Sequence, residues 1–145
     1  MESGFLTDLD VRLKCGSDHI WVVSSPLKYA SKSLNRIIIV PTWYEIESES
    51  PADEPLWFET DFASVPRLPI FYTMWGDRAH REAVLHDYCY RIDSIPVVTK
   101  SQADKLFLEA MQSTGKPWYI SRPMYWGVVC GGGSSYHRLK VKDKL

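Results

Sequence analysis

Polar and apolar residues alternate along the first third of the chain, and this pattern predicts β-strands. Residues 10–15 change polarity at every position, which is typical of a strand with one buried face. A turn-forming Gly-Ser-Asp follows at residues 16–18, and the apolar run at residues 19–23 predicts the next strand. Residues 36–40 are apolar and β-branched after Arg36, so we predict a central strand there. Residues 5–45 are therefore expected to be mainly β-structure.

Two stretches that contain proline separate these strands from the second half of the chain. Residues 45–55 are acidic and include Pro51 and Pro55, which predicts a loop. Residues 56–60 resemble one more short strand. Residues 61–69 should be irregular, because Pro66 and Pro69 each lack a backbone donor and restrict the preceding residue.

Apolar residues at spacings of three and four predict a helix from residue 77 to about residue 92. Asp77 can cap its N-terminus, and Pro96 lies beyond its C-terminal end. One face of this helix carries Ala79, Ala83, His86 and Tyr90. His86 therefore lies in the middle of a stripe that should face the core.

Two further helices are predicted towards the C-terminus. Ser101 can cap the second, with Asp104 three residues later in the manner of a capping box, and Gly115 should end it. The residues that this helix should bury are Ala103, Leu106, Phe107, Ala110 and Met111. Residues 117–130 form a third helical stretch, kinked or broken around Pro123.

Strands followed by helices predict an α+β fold, with N-terminal antiparallel strands packed against two to three C-terminal helices. A length of 145 residues is that of one domain, and no internal repeat is visible. The polar motifs fall within about residues 55–137. Residues 138–145 form a basic tail, and we expect the segment from residue 137 onwards to be solvated.

Composition narrows the classes of function. A formal net charge of −1 argues against a general nucleic-acid binder. No apolar run reaches about 18 residues, so no membrane span is expected, and the first residues lack the features of a signal peptide. Three widely spaced cysteines form neither a disulfide framework nor a zinc motif, which favours reduced thiols in a cytoplasmic setting. Six Trp, eight Tyr and five Phe are enough to supply both a core and an interface.

The pair His86-Asp87 is the first candidate for chemistry. A histidine on an apolar stripe is commonly a core residue bonded to one partner, and that interpretation stays open. Adjacent helical residues point about 100° apart, so His86 and Asp87 should address different neighbours or flank one cavity. A histidine with a carboxylate partner can act as a general base or a metal ligand, because the partner fixes its tautomer. Asp87 is the candidate ligand for a divalent metal, the only cofactor that we consider.

The other candidate residues lie before and after this helix. Asp61 and Ser64 either cap their own loop or face His86, with Ser64 as a nucleophile in the second case. Asp104 is either an exposed acid that favours the helix dipole or a buried carboxylate in need of a donor. The candidate donors are Arg67, Arg91 and His86. Tyr90 shares the face of His86 and is assigned to the same network or to substrate binding.

Three motifs in this order carry a resemblance. They are the loop over residues 60–67 (Thr-Asp-Phe-Ala-Ser-Val-Pro-Arg), the helix over residues 83–90 (Ala-Val-Leu-His-Asp-Tyr-Cys-Tyr) and the helix over residues 103–111 (Ala-Asp-Lys-Leu-Phe-Leu-Glu-Ala-Met). The chain resembles the phage-associated domain-of-unknown-function family 1353 over about residues 55–137. Cys89 stands where that family usually has an aliphatic residue. The resemblance implies a bacteriophage or prophage origin and supplies no established activity.

Two local resemblances concern chemistry. The segment over residues 86–90 is similar to the catalytic helix of secreted phospholipases A2, which would make His86 a base and Asp87 a calcium ligand. The glycine-rich calcium loop and the disulfides of those enzymes are missing. His80, His86, Asp87 and Asp104 also resemble the ligand pattern of metal phosphohydrolases, which are all-helical, whereas this chain opens with strands.

Two functions follow as hypotheses. The first is a virion-associated structural or accessory protein of a tail, baseplate or neck, in which the polar residues form a buried network and the aromatics contact other phage proteins or a second copy. The alternative is a phage hydrolase of the host cell envelope with His86 as general base, oriented by Asp61 or Asp104. Either would operate in the virion or in the host cytoplasm.

Overall fold

The structure of the protein is a computed structural model, which describes residues 1–16, 18, 20–42, 58–60, 79–131, 133 and 136–141. In these residues six strands precede three helices, so the predicted α+β class is confirmed. The strands are β1 Gly4–Phe5, β2 Val11–Leu13, β3 Trp21–Val23, β4 Leu27–Ser31, β5 Arg36–Val40 and β6 Glu59–Thr60. The helices are α1 His80–Cys89, α2 Lys100–Ser113 and α3 Trp118–Gly131. The loop predicted at residues 45–55 lies outside the described residues.

The strands form two small antiparallel sheets. One has the order β1-β4-β5, and β4 pairs with β5 from Leu27 opposite Val40 to Ser31 opposite Arg36. The other has the order β2-β3-β6. In that sheet Trp21 is the partner of Thr60, and the Thr60 hydroxyl bonds to Asp87 of the first helix. The first sheet packs against α1 and α2 through one core cluster that includes Tyr29, Ile38 and Leu85.

The prediction of a central strand at residues 36–40 is wrong. Among the described strands β5 lies at the edge of its sheet, and Ile37 and Ile39 are 47% and 39% exposed. The central strand is β4, in which four of five residues are buried. Its pattern does not reveal this position, because Lys28 and Ser31 interrupt the apolar run. Uniform β-branching in β5 therefore marks strand propensity and does not report burial on both faces.

Helix α1 begins later than predicted. Ala79 occupies the N-cap position without a side-chain bond, so the assignment of Asp77 as the cap is wrong. The helix ends at Cys89 and Tyr90 is its C-cap, short of the predicted end near residue 92. The predicted face is confirmed, because Ala79, Ala83, His86 and Tyr90 are all buried.

Helix α2 is capped two residues earlier than predicted. The Thr99 hydroxyl accepts a bond from the Gln102 N–H, and the Gln102 side chain accepts one from the Thr99 N–H. This capping box replaces the predicted one at Ser101 and leaves Asp104 free to turn inwards. The predicted buried face of Ala103, Leu106, Phe107, Ala110 and Met111 is confirmed. Past Ser113, Gly115 adopts a φ of +77° and forms a Schellman turn, as the predicted stop requires.

Helix α3 continues through Pro123. Its inner side places Ile120, Met124 and Val128 against Phe107 and Met111 of α2. A proline removes one backbone donor, and the packing of this face offsets that loss. Of the predicted kink or break at Pro123, the break is therefore wrong.

The solvated tail predicted from residue 137 is wrong as far as residue 141. The His137 N–H donates to the Tyr90 carbonyl at 2.8 Å, and the Ile92 N–H donates to the Leu139 carbonyl at 2.9 Å. The Val141 side chain is buried. Basic side chains in this segment point outwards, and main-chain bonds nevertheless hold it to the end of α1.

Candidate functional site

His86 and Asp104 meet in the interior between α1 and α2. The His86 Nε2 lies 2.8 Å from Asp104 Oδ1, and the two residues are 1% and 2% exposed. His86 reaches this position because it falls on the buried face of α1. Asp104 does so because it lies one helical turn from the buried Phe107 and on the same side of α2. The predicted meeting of this imidazole and this carboxylate is present.

Two more side chains complete the arrangement around Asp104. The Tyr90 hydroxyl donates to Oδ1 at 2.5 Å, and the Lys100 ammonium donates to Oδ2 at 2.7 Å. Lys100 also donates to the carbonyls of Val128 and Val129 at 3.2 and 3.0 Å. We call His86, Tyr90, Lys100 and Asp104 the His86 network.

The network fixes the charge of Asp104. Burial alone raises the pKa of this carboxyl, but hydrogen bonds from His86, Lys100 and Tyr90 outweigh burial and hold the pKa below its usual value. Burial, followed by the bond to Asp104, raises the pKa of Tyr90. At neutral pH the carboxylate is therefore ionised and the phenol carries its proton.

An ionised Asp104 determines which nitrogen of His86 carries a proton. A carboxylate can only accept, so Nε2 must donate to it. In the neutral imidazole the Nδ1 atom is then the basic nitrogen. The ring also contacts Tyr90 and Phe107, with centroids 4.1 and 5.0 Å away, which fixes its orientation.

Asp87 faces a different part of the molecule, as its position on the helix predicts. It accepts a bond from the Thr60 hydroxyl at 2.6 Å and so joins α1 to β6. Among the described residues no three His, Cys, Asp or Glu side chains come together as a metal site would require. His80, His86, Asp87 and Asp104 thus do not form the ligand set of a metal phosphohydrolase.

Arg91 is buried and bonds to backbone carbonyls of two other segments. It is 5% exposed, and its guanidinium donates to the carbonyls of Glu59 and Lys140 at 3.1 and 3.3 Å. Its Cζ lies 5.3 Å from the centre of the Phe58 ring. Arg91 therefore joins β6 and the C-terminal segment to the end of α1, while Lys100 supplies the cation at Asp104. Asp61, Ser64 and Arg67 lie outside the described residues.

Sequence reasoning missed Lys100, although its spacing to Asp104 is that of an i, i+4 ion pair. Sequence reasoning also missed two carboxylates outside the network. Glu82 is 1% exposed and accepts from Thr114 and Lys116, so it joins α1 to the turn after α2. Glu109 accepts from Ser3 at 2.7 Å, which fastens the N-terminus to α2.

Cys89, the departure from the motif, is fully buried in the core cluster. Burial raises the pKa of its thiol to about 12. A protonated thiol in this position packs as a small apolar residue, which explains why it can stand in place of an aliphatic side chain.

These features define an α+β protein whose helices share one buried His-Tyr-Lys-Asp network. The chain belongs to the family described as protein of unknown function (DUF1353), whose sequence model matches residues 47–128, more than half of its length. No curated protein and no solved structure matches it. No helix in the described part of the chain is long and apolar enough to cross a membrane.

Proposed function

We propose that this protein is a structural or accessory component of a bacteriophage particle. The His86 network holds its helices in one arrangement, and exposed aromatic side chains contact other proteins of the assembly. The observation that carries this proposal is the burial of His86 and Asp104, which are 1% and 2% exposed while bonded to each other. A general base needs access to water, and this pair has almost no solvent contact.

The connections of the network support a structural role. His86 and Tyr90 belong to α1 and its C-cap, and Lys100 and Asp104 belong to α2. Lys100 also binds two carbonyls in the last turn of α3, where a cation interacts favourably with the helix dipole. One buried centre thus joins three helices, and a fully satisfied polar network of this kind favours a single packing.

The assignment to a phage particle is supported by the resemblance of the motifs in sequence. Mass spectrometry of purified particles of the encoding phage tests it, with particles from a strain that lacks the gene as the control. We expect the protein in the particle in a fixed stoichiometry. Its absence from particles, with normal expression in the infected cell, would contradict the proposal.

A hydrolase remains the second candidate, and one observation favours it. The ionised Asp104 accepts a hydrogen bond from the Nε2–H of His86 and fixes the orientation of the ring, as a carboxylate partner does for a general base. Either a bacterial cell wall or phospholipid would be the substrate to assay.

Two variants of His86 separate the candidates. His86→Gln retains an amide N–H that can donate to Asp104 but has no basic nitrogen, and His86→Ala has neither. The structural role predicts near-normal melting and infectivity for His86→Gln. For His86→Ala it predicts that the free energy of unfolding falls by about 1–3 kcal/mol. Lost infectivity in His86→Gln with wild-type melting would favour the hydrolase.

A further inference from the structure

Helix α3 carries large aromatic side chains on a second, exposed face. Its inner side packs on α2, yet Trp118, Tyr119 and Trp126 are 75%, 57% and 58% exposed. Large aromatic side chains each bury about 150–250 Å² when covered, so their exposure together is costly without a partner. We call Trp118, Tyr119, Arg122 and Trp126 the α3 outer face.

The α3 outer face has a regular arrangement. Trp118, Arg122 and Trp126 are each four residues apart and therefore fall in one row with steps of about 6 Å. Tyr119 packs edge-on against Trp118 with ring centroids 5.9 Å apart, and Tyr125 lies 5.6 Å from Trp126. The exposed Arg122 thus lies between two pairs of aromatic rings.

Arg122 is the one charged residue of α3, since residues 118–131 contain no Asp, Glu, Lys or His and no second Arg. Lys116 is paired with Glu82, whereas Arg122 forms no ion pair with any residue that the structure describes. A carboxylate of a partner can therefore pair with this exposed guanidinium.

We infer that the α3 outer face binds an acidic, aliphatic-rich segment of another protein, an inference that rests on the proposed role in an assembly. Trp, Tyr and Arg are the residues that dominate protein interfaces, and Lys is depleted there. A nucleic acid or an anionic bilayer is attracted through several cations at once, and this face carries one. The aromatic pairs would contact aliphatic side chains of the segment while Arg122 binds a carboxylate in two-point geometry.

Selection from a library of random 12-residue peptides displayed on filamentous phage tests this inference with the full-length protein as bait. We expect enriched peptides to combine Glu or Asp with Leu, Ile or Val. Their binding should fall by about tenfold or more for Trp126→Ser and for Arg122→Glu, the effect of losing one interface hot spot. The control is Ile37→Ser, which removes an exposed apolar side chain from β5 and should leave binding unchanged.

Three outcomes would overturn the inference. They are no enrichment above an unrelated bait, enriched peptides without acidic residues, and binding that Ile37→Ser and Trp126→Ser weaken equally. Vesicles with one third phosphatidylglycerol and a 20-residue oligothymidylate form two further arms, and Trp126-dependent binding to either would also contradict a protein partner. If the peptides fail to bind while the protein is present in particles, the inference about the α3 outer face is contradicted and the proposed function stands. If the protein is absent from particles, the proposed function is contradicted, and the role in an assembly on which this inference rests is lost with it.

Discussion

The Nε2 atom of His86 lies 2.8 Å from Oδ1 of Asp104, although the two residues are 18 positions apart in the chain. Both are almost completely buried, and Tyr90 and Lys100 supply the remaining bonds to the carboxylate. A buried charge is tolerated only when hydrogen bonds and counter-charges replace water. This requirement links the stability of the helices to each member of the network.

Asp104→Asn should destabilise the protein by about 1.5–3 kcal/mol, the range for hydrogen bonds to charged groups. The amide keeps the shape of the carboxylate but is neutral, so Lys100 loses its ionised partner. The amide NH2 group also replaces one acceptor oxygen, so it faces a donor of the network. Urea unfolding followed by circular dichroism measures this. Asp8→Asn is the matched control, because the Asp8 side chain is 99% exposed and should cost less than about 0.5 kcal/mol. Equal effects of the two substitutions would contradict the role assigned to Asp104.

The lowered pKa of Asp104 predicts a dependence of stability on pH. A carboxyl whose pKa is lower in the folded state stabilises the fold above its unfolded pKa near 4, and that contribution is lost as the pH falls through the folded value. Glu109, whose pKa is also lowered against the effect of burial by bonds from Ser33 and Ser3, adds to the same trend. The free energy of unfolding should therefore fall from about pH 5 towards pH 2.

Asp104→Asn should make this decline shallower, because the substituted side chain no longer titrates. Unfolding curves at half-unit steps of pH measure both slopes, and Asp8→Asn should retain the wild-type slope. Identical slopes for wild type and Asp104→Asn would show that Asp104 has the same pKa in the folded and unfolded states.

Lys100→Met should increase local opening of α3 more than local opening of the sheets. The substitution keeps the apolar stem but removes the donor to Asp104 and to the carbonyls of Val128 and Val129. We expect the free energy of unfolding to fall by about 1–3 kcal/mol and amide hydrogen exchange to become faster in the last turns of α3. Lys105→Met, on the exposed side of α2, is the control. Unchanged amide hydrogen exchange in α3 would contradict the conclusion that Lys100 stabilises α3 against α2.

The sequence predicts those parts of the fold that periodicity determines. The face of α2 through Ala103, Phe107 and Met111 follows from spacing alone, and so does the buried position of His86. The meeting of His86 with Asp104 follows from the cost of burying polar groups without partners. These predictions succeed because each depends on one helix face and one general requirement.

Other features depend on choices between neighbouring residues or on distant contacts. Thr99 and Ser101 are both good N-caps, and only Thr99 has a Gln in the position that completes the box. The edge position of β5 depends on the path of the whole sheet, which its β-branched sequence does not encode. Lys100 was overlooked because lysine side chains are mostly solvated, whereas this long side chain reaches inwards from the start of α2.

A double-mutant cycle on His86 and Asp104 tests the central claim most directly. Urea unfolding at neutral pH would give the free energies of wild type, His86→Ala, Asp104→Ala and the double variant. A buried pair bonded at 2.8 Å predicts a coupling energy of about 1–3 kcal/mol, with the double variant less destabilised than the sum of the single ones. Additivity within about 0.3 kcal/mol would show that the two side chains do not stabilise the fold through each other, and would contradict the account.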